Sequence, residues 1–188
     1  PGYRHQVGVA KTVMLSSIEG RLSLLSRKGP QDAQLLAATA DSREVRSGTL
    51  FAAIDGSTLD GHRFIPQAVA QGASAVLLKR WPDSWPENVV GLQVEDPRRS
   101  LALASSALLG DPGAQMQVMA ITGTNGKTTT AAILRSILRA AGKHVGVLGT
   151  TGITWNGTRG ELRYEATHTT PEGPALYDWL RQMAEDGV

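Results

Sequence analysis

The segment VMAITGTNGKTTT, residues 118–130, restricts the fold of this chain more than any other stretch. It opens with four apolar residues, as expected for a strand buried in a parallel sheet. A loop with Gly123 and Gly126 follows at once, and from Lys127 apolar residues recur at helical spacing until Gly142. The segment therefore predicts a strand, a glycine loop and a helix in direct succession.

This succession of elements favours a phosphate-binding site. The glycines leave no Cβ in the path of an anion, and the start of a helix offers unpaired N–H groups and the positive end of its dipole. Lys127 adds a charge for the outer phosphates, and the hydroxyl of Thr128 is suited to ligate Mg²⁺. The loop is shorter than the usual phosphate loop, because Ile121 stands where that pattern has its first glycine. The alternative is a glycine turn before an ordinary helix.

Composition excludes several classes of function. The 188 residues suit one domain or two small ones, and 19 basic against 17 acidic residues, all scattered, give no reason to expect a nucleic-acid partner. The absence of cysteine excludes disulfides, thiolate catalysis and Cys-ligated zinc, and it fits a reducing compartment. No apolar run is long enough to span a bilayer, so we expect no membrane span and a cytoplasmic protein.

The first part of the chain has the pattern of a small α/β domain. The predicted elements are strands at 49–54, 73–78 and 89–94, helices at 16–25, 66–70 and 97–109, and a loop at 27–30. Trp81 and Trp85 lie in a loop and are expected to pack partly buried. The sequence GDPG at 110–113 breaks the pattern and marks a domain boundary, so the first domain is expected to cover residues 1–112.

Two polar segments flank the strand predicted at 49–54. Asp41, Ser42 and Arg43 precede this strand and by themselves indicate a solvated turn. A polar loop bracketed by glycines follows the strand. His62 comes next and is interpreted as a structural hydrogen-bonding residue, because no second histidine or carboxylate stands at metal-ligand spacing beside it.

The second part, residues 113–188, has the pattern of an incomplete parallel α/β domain. Residues 145–148 predict a second buried parallel strand, an Asn-Gly pair at 156–157 predicts a hairpin turn, and a final helix is predicted at 174–186. Two parallel strands do not complete a doubly wound sheet. We therefore expect a domain that is cut short, exposes apolar surface, and self-associates or is partly disordered beyond Gly152.

Several motifs together resemble the Mur ligases of peptidoglycan synthesis, in particular the MurE type, the UDP-N-acetylmuramoyl-tripeptide synthetases. The motifs are ITGTNGKTTT, GVLGTTG and THTTP, preceded by ADSREVRSGTLFAAIDGSTLDGHRF, and the resemblance covers about residues 39–188. It implies a small α/β UDP-recognition domain followed by the first part of an ATPase domain with a phosphate loop and a doubly wound parallel sheet. The chain is then an N-terminal fragment of a longer ligase.

The resemblance implies an ATP-dependent ligase. Such an enzyme adds the third residue, a diamino acid, to UDP-N-acetylmuramoyl-L-alanyl-D-glutamate through an acyl phosphate. ATP and Mg²⁺ are the implied cofactors, and the full-length enzyme is expected to be a monomer. The alternative is that this chain is a truncated nucleotide-binding module without ligase activity.

The resemblance also assigns site residues. Lys127 and Thr128 are the implied catalytic residues, with Thr128 on Mg²⁺. The residues implied to bind ATP are Gly123, Thr124, Asn125, Gly126, Lys127, Thr128 and Thr129. Those implied to hold the UDP part of the substrate are Ser42, Ser57, Thr58 and Leu59, and those implied to contact its muramoyl-dipeptide part are His168, Thr169 and Thr170. Related enzymes often have Asn in place of His168.

Overall fold

The computed structural model describes residues 12–56, 59–165 and 171–188. The chain divides into two compact units, of which the first ends at Gly110 and the second begins at Asp111. Both units contain helices and strands, so the α/β class predicted from the sequence is confirmed. Within the described ranges, no helix is both long and apolar enough to cross a membrane.

The first unit is built on a five-stranded sheet. Its helices are α1 (Ser16–Glu19), α2 (Ile65–Ala70) and α3 (Pro97–Leu108). Its strands are β1 (Val13–Met14), β2 (Leu24–Lys28), β3 (Gln34–Leu35), β4 (Ala37–Thr39), β5 (Thr49–Ala52), β6 (Ala73–Leu78) and β7 (Val90–Val94). The strand order is β2-β7-β6-β5-β4, with β4 to β7 parallel and β2 antiparallel at one edge. β1 and β3 form a separate antiparallel pair.

Alternation along the central strands gives this sheet two buried faces. Leu50 and Leu77 pack on one face with residues of α1 and α3, while Phe51 and Leu78 pack on the other face with residues of α2. All four side chains are fully buried. Strands that are covered on both faces need apolar residues at successive positions, which explains the continuous apolar runs in the sequence.

Most of the predicted elements of this unit are confirmed, with shifts of a few residues at their ends. Trp81 and Trp85 pack partly buried, with 5.2 Å between their ring centroids, as predicted. The prediction for the first helix and the loop after it is wrong in part, because α1 ends at Glu19 and residues 24–28 form the edge strand β2. Ser23 has a φ of 50°, which a right-handed helix cannot continue.

The second unit combines a short antiparallel sheet with helices. The helices are α4 (Lys127–Ala140) and α5 (Gly173–Glu185), and both helix predictions are confirmed. The strands are β8 (Val145–Gly149), β9 (Gly152–Gly157) and β10 (Gly160–Tyr164), in the order β10-β9-β8.

Two strand predictions in this unit are wrong. Residues 118–122 form no strand, and Val118 is 60% exposed. β8 does form, but it pairs antiparallel with β9 and has no parallel neighbour among the described residues. A buried parallel strand needs partners along its edges and cover on both faces. Ile133 and Ile137 of α4 are 57% and 60% exposed, so apolar surface is exposed here as predicted.

The hairpin and α5 share a core around Trp155. The indole N–H of Trp155 donates to Asp186 Oδ2 at 2.8 Å. A Cβ on Gly157 would lie 2.3 Å from the same oxygen, so the missing side chain permits this close approach. Gly157 is also the last residue of β9 and pairs with Gly160. The hairpin turn therefore lies at residues 158–159 and not at the predicted Asn-Gly pair. The described residues beyond Gly152 have a core, while self-association or partial disorder of this part stays a prediction.

Asp186 gives the second unit a dependence on pH. Burial by itself raises the pKa of Asp186, but hydrogen bonds from Trp155, Arg159 and Thr158 outweigh burial and hold this pKa below its usual value. A pKa that is lowered in the folded state means that the ionised form stabilises folding. This contribution is complete above the usual pKa of 3.8 and is lost as the pH falls below it.

We expect Asp186→Asn to lower the urea midpoint of the second unit at neutral pH, because an amide accepts more weakly from the Arg159 guanidinium than a carboxylate does. The difference from the unsubstituted chain should shrink between about pH 5 and about pH 3. Urea titrations followed by tryptophan fluorescence measure both effects. Asp83→Asn, an exposed residue of the first unit, is the control and should change neither midpoint. Equal midpoints for Asp186→Asn and the unsubstituted chain at neutral pH would contradict this role.

Candidate functional site

The glycine loop of the second unit leads directly into α4. Thr130 N donates to Gly126 O at 2.8 Å, so the N–H groups of residues 127–129 precede the helical ladder. Gly123 and Gly126 have φ values of 143° and 80°, in a region that other residues rarely adopt. Residues 122–126 are exposed. The start of α4 therefore offers backbone donors beside an open loop, at the positive end of the helix dipole.

The side chain of Lys127 folds back over this loop. Its Nζ donates to Gly123 O at 2.5 Å and to Thr124 O at 3.3 Å. Both acceptors are neutral carbonyls, so these two contacts hold the ammonium group at the loop without neutralising its charge. A phosphate bound in the loop would gain this charge together with the N–H groups of the helix start.

Thr128 lies in the first turn of α4 and meets the end of β8. Its Oγ1 is 3.3 Å from Oγ1 of Thr150. Mg²⁺ at a nucleotide usually takes one or two protein ligands and fills its other positions with phosphate oxygens and water. One exposed hydroxyl beside a phosphate cradle fits that pattern. Thr150 was not assigned to the site from the sequence, although its position directly after a predicted strand was a usable signal.

In the first unit, parallel pairing places predicted substrate residues at one edge of the sheet. β4 and β5 run parallel with Thr39 opposite Phe51, so the chain leaves both strands at the same edge. The segment with Ser42 follows β4, and the loop with Leu59 follows β5. Open α/β sheets bind their ligands at this carboxyl edge. Topology therefore brings Ser42 and Leu59 to the edge where a ligand is expected.

Ser42 is more enclosed than the solvated turn that its neighbours predict. Its side chain is nearly buried, and Oγ donates to Gln67 Oε1 on α2 at 3.1 Å. Asp41 accepts from Arg43 N at 2.9 Å and closes the turn around Ser42. Gln67 was not predicted, because only the fold shows that α2 lies against this turn.

The polar loop after β5 is closed at its base. Asp55 and Asp60 form an isolated antiparallel bridge, and Gly56 N donates to Leu59 O at 2.9 Å. Leu59 is 57% exposed and is free to contact a ligand. The other predicted substrate residues lie outside the described residues: Ser57, Thr58, His168, Thr169 and Thr170.

Two carboxylates and an arginine surround His62 at the base of this loop. His62 Nδ1 lies 2.9 Å from Asp60 Oδ1 and 3.2 Å from Asp55 Oδ1. Arg80 forms salt bridges with both carboxylates. The sequence predicts no carboxylate at ligand spacing beside His62, and this prediction is wrong, because the loop folds back and brings two of them there.

The three side chains have the spacing of a cation site, but an arginine side chain already supplies a positive charge there. The ligand atoms of Asp55, Asp60 and His62 lie within 4.8 Å of one another. The guanidinium of Arg80 bridges the two carboxylates and supplies the positive charge there. The backbone N–H of His62, helped by Arg80, lowers the pKa of Asp60 to about 2, so this carboxylate is ionised at neutral pH. We interpret the cluster as a salt-bridged hydrogen-bond network.

A cleft of about 340 Å³ opens at the same edge of the sheet. Its lining residues are Ile54, Asp55, Lys79, Glu95, Asp96, Pro97 and Arg98. Two of these side chains are cationic and three are carboxylates, so the lining offers both donors and acceptors. Such a lining suits a ligand with several polar groups.

Two protein-family profiles match the chain, one in each unit. The profile described as Mur ligase family, catalytic domain, matches residues 37–108, and the profile of the Mur ligase middle domain matches residues 121–188. The first match includes the polar loop after β5, and the second includes the glycine loop. The chain belongs to the Mur ligase family.

Curated relatives carry Mur ligase names. The chain is 41% identical over 154 residues to the UDP-N-acetylmuramoyl-L-alanyl-D-glutamate–2,6-diaminopimelate ligase of Geobacillus thermodenitrificans, which covers 82% of this chain and 30% of that relative. It is also 41% identical over 158 residues to the UDP-N-acetylmuramyl-tripeptide synthetase of Deinococcus radiodurans, covering 84% of this chain and 32% of that relative. This Mur ligase chain therefore spans about a third of the length of the curated relatives it matches.

A solved structure supports the fold. The crystal structure of MurF from Acinetobacter baumannii aligns with a TM-score of 0.56 at 24% identity, over 93% of this chain and 34% of that one. The likeness shows that the chain has a Mur ligase fold.

Two glycines that flank α4 offer a matched test of the glycine loop. Gly126 at its start and Gly142 after its end have φ values of 80° and 75°, and a Cβ at either position would meet nothing within 4 Å. Alanine at either position should therefore cost about 1–2 kcal/mol of backbone strain. In the full-length protein, we expect only Gly126→Ala to weaken MgADP binding, by about tenfold or more, because strain there would displace the N–H groups of the candidate phosphate cradle.

Calorimetric titration with MgADP and urea unfolding of both variants measure the two effects. Equal loss of MgADP affinity in Gly126→Ala and Gly142→Ala would show that the loop does not hold the nucleotide.

Proposed function

We propose that the protein containing this chain is an ATP-dependent amide ligase of peptidoglycan precursor synthesis. Its acceptor is UDP-N-acetylmuramoyl-L-alanyl-D-glutamate, and it adds a diamino acid as the third residue of the peptide. The observation that carries the proposal is the placement of Lys127 and Thr128 at an open glycine loop, in a chain 41% identical to a ligase with this name. The name of the Geobacillus relative suggests diaminopimelate as the added residue.

The glycine loop and the start of α4 are proposed to hold the phosphates of ATP. Residues 123–129 supply the loop and the backbone donors, and the ammonium of Lys127 moves from the carbonyls of the loop to the outer phosphates. Thr128 would ligate a Mg²⁺ ion, which neutralises phosphate charge when it is bound. Catalysis of this kind depends mostly on positioning and charge neutralisation. Lys127 and Thr128 are therefore the proposed catalytic residues.

The proposed reaction proceeds in two displacements. A carboxylate oxygen of the acceptor attacks the γ-phosphorus of ATP, which releases ADP and leaves an acyl phosphate. The neutral amine of the diamino acid then attacks the acyl carbon, the attacking nitrogen loses one proton to solvent, and the C–O bond to phosphate breaks so that inorganic phosphate leaves as the amide forms. Lys127 supports the first displacement, because negative charge on the γ-phosphate must be held close to the incoming carboxylate.

The first unit is proposed to recognise the UDP part of the acceptor. Support comes from Ser42 and Leu59, which follow neighbouring parallel strands and therefore reach the same edge of the sheet. Ser57 and Thr58 belong to the same loop, and His168, Thr169 and Thr170 are proposed to contact the muramoyl-dipeptide part. UDP-linked precursors and ATP are cytoplasmic metabolites, so we place the protein in the cytoplasm and expect the full-length form to be monomeric.

For the chain itself, a nucleotide-binding module without ligase activity is the second candidate. The chain spans about a third of the length of its curated relatives. Apolar residues of α4 such as Ile133 and Ile137 are exposed, which indicates that further protein covers them in the complete enzyme. We therefore propose that this chain binds its acceptor without turnover and that the complete protein is the ligase.

Lys127→Ala in the full-length protein should abolish turnover and leave the fold intact. Removing a charge aimed at the outer phosphates raises the barrier by several kcal/mol, on the order of 3–4. Lys143→Ala is the matched control, since Lys143 is exposed after the far end of the same helix. Steady-state rates and urea unfolding of both variants provide the measurement. Turnover near that of the unsubstituted enzyme in Lys127→Ala would refute the catalytic assignment.

The 188-residue chain should bind the UDP-linked acceptor better than it binds MgATP. We expect UDP-N-acetylmuramoyl-L-alanyl-D-glutamate to give weak but measurable heat and MgATP to give little, because a phosphate cradle alone supplies only part of the usual affinity. Ser42→Ala should reduce the first signal, since loss of one polar partner costs about 1–3 kcal/mol. Ser84→Ala, in an exposed loop of the same unit, is the control. Tight MgATP binding without a response to the UDP ligand would reverse this assignment of the two units.

A further inference from the structure

The side chain of His62 connects the loop between β5 and α2 to the end of the next strand, β6. His62 follows the loop, and its Nε2 lies 3.1 Å from Lys79 N and 3.4 Å from Arg80 N, at the end of β6. Its Nδ1 lies 2.9 Å from Asp60 Oδ1 at the base of the loop. The side chain of His62 is only 10% exposed. One imidazole ring therefore connects the base of the loop to the neighbouring strand end.

The partners of His62 determine where its proton sits. A backbone N–H can only donate, so Nε2 must accept from Lys79 N. The ring proton is then on Nδ1, which donates to the carboxylate of Asp60. The ring thus acts as an acceptor towards β6 and as a donor towards the loop, and no single amide side chain reproduces both contacts.

A second side chain also connects the end of β6 to the base of this loop. Arg80 extends from the end of β6 and forms salt bridges with Asp55 and Asp60, the two residues that bridge at the base of the loop. The loop also returns closely onto β5, because Gly61 N donates to Ile54 O at 2.9 Å. A Cβ on Gly61 would lie 2.5 Å from Ile54 O, so this return requires glycine.

We propose that His62, with Arg80, is a positioning residue that fixes the base of the loop after β5, at Asp55 and Asp60, and thereby favours the binding of a uridine diphosphate group. The inference rests on the proposed function, which assigns this loop to the UDP part of the acceptor. It goes beyond that assignment, because His62 and Arg80 act through Asp60 and need not touch the ligand. Fixing the base of the loop before binding reduces the ordering cost that the ligand must otherwise overcome.

A merely structural role for the ring predicts something different. A histidine that only filled space or stabilised α2 would change the stability of the unit without a specific effect on the loop ligand. The proposed role predicts that affinity for UDP depends on the two hydrogen bonds separately. Asn places an amide near the position of Nδ1 and retains the contact with Asp60, while Gln places a carbonyl near Nε2 and retains the contact with Lys79 N.

The test uses UDP as the probe and the 188-residue chain as it exists. Calorimetric titration should show a dissociation constant raised about tenfold to a hundredfold in His62→Phe, which loses both hydrogen bonds. His62→Asn and His62→Gln should each give an intermediate affinity, because each restores one contact. Nitrogen NMR of the unsubstituted chain should show His62 protonated on Nδ1 and unprotonated on Nε2.

Arg80→Met keeps the proposal testable if His62→Phe fails to fold, because the side chain of Arg80 is 55% exposed. It should also weaken UDP binding by about tenfold. Arg63→Met removes the same charge from an exposed position next to His62 and serves as the control, with unchanged affinity expected.

The possible negative results distinguish failure of the proposed UDP site from failure of the positioning role of His62. If the unsubstituted chain gives no heat with UDP, the proposed function of the first unit is overturned and the positioning role with it. If the unsubstituted chain binds UDP but the His62→Phe and Arg80→Met variants bind equally well, the positioning role alone is overturned. A His62 ring protonated on Nε2 would also overturn it, because the contact with Lys79 N would be lost.

Discussion

Parallel pairing of β4, β5, β6 and β7 is the constraint on which the first unit depends. Because these strands run the same way, the segments that follow them emerge at one edge of the sheet. The strands themselves are buried on both faces and carry apolar side chains. Polar and charged side chains therefore concentrate in the segments beyond the strand ends, which include Ser42, the loop with Asp60, and Arg80. The candidate substrate site and the His62 network are both consequences of this arrangement.

The second unit is organised by local structure. The phosphate cradle needs two glycines with positive φ, the start of a helix, and a lysine whose partners lie three and four residues before it. All of these lie within residues 123–130, so the cradle forms although residues 118–122 are not a strand here. The sheet depends on distant partners instead. β8 pairs with the strand that follows it, and Asp186 from the end of the chain completes the core around Trp155.

These two kinds of organisation correspond to the two ligands proposed for the complete enzyme. A ligase of this family must bring a carboxylate of one substrate to the γ-phosphate of another, and most of its rate enhancement comes from holding them in place. A rigid sheet edge suits the recognition of the large UDP-linked acceptor. A helix start with a lysine beside its N–H groups suits phosphates whose charge changes during the reaction. The exposed apolar residues Ile133 and Ile137 of α4 fit the proposal that this chain is part of a longer ligase.

The sequence by itself determined the glycine loop and α4, the central strands of the first unit, and membership of the Mur ligase family. These features follow from local periodicity, glycine positions and short motifs, which nearby residues encode. Only the tertiary structure placed Asp55 and Arg80 around His62, joined Ser42 to Gln67, and showed that Gly157 makes room for Asp186. It also decided that β8 pairs antiparallel with β9. The physical reason is that these contacts join residues from separate elements, and their proximity is set by strand pairing and loop closure rather than by the pattern of any one segment.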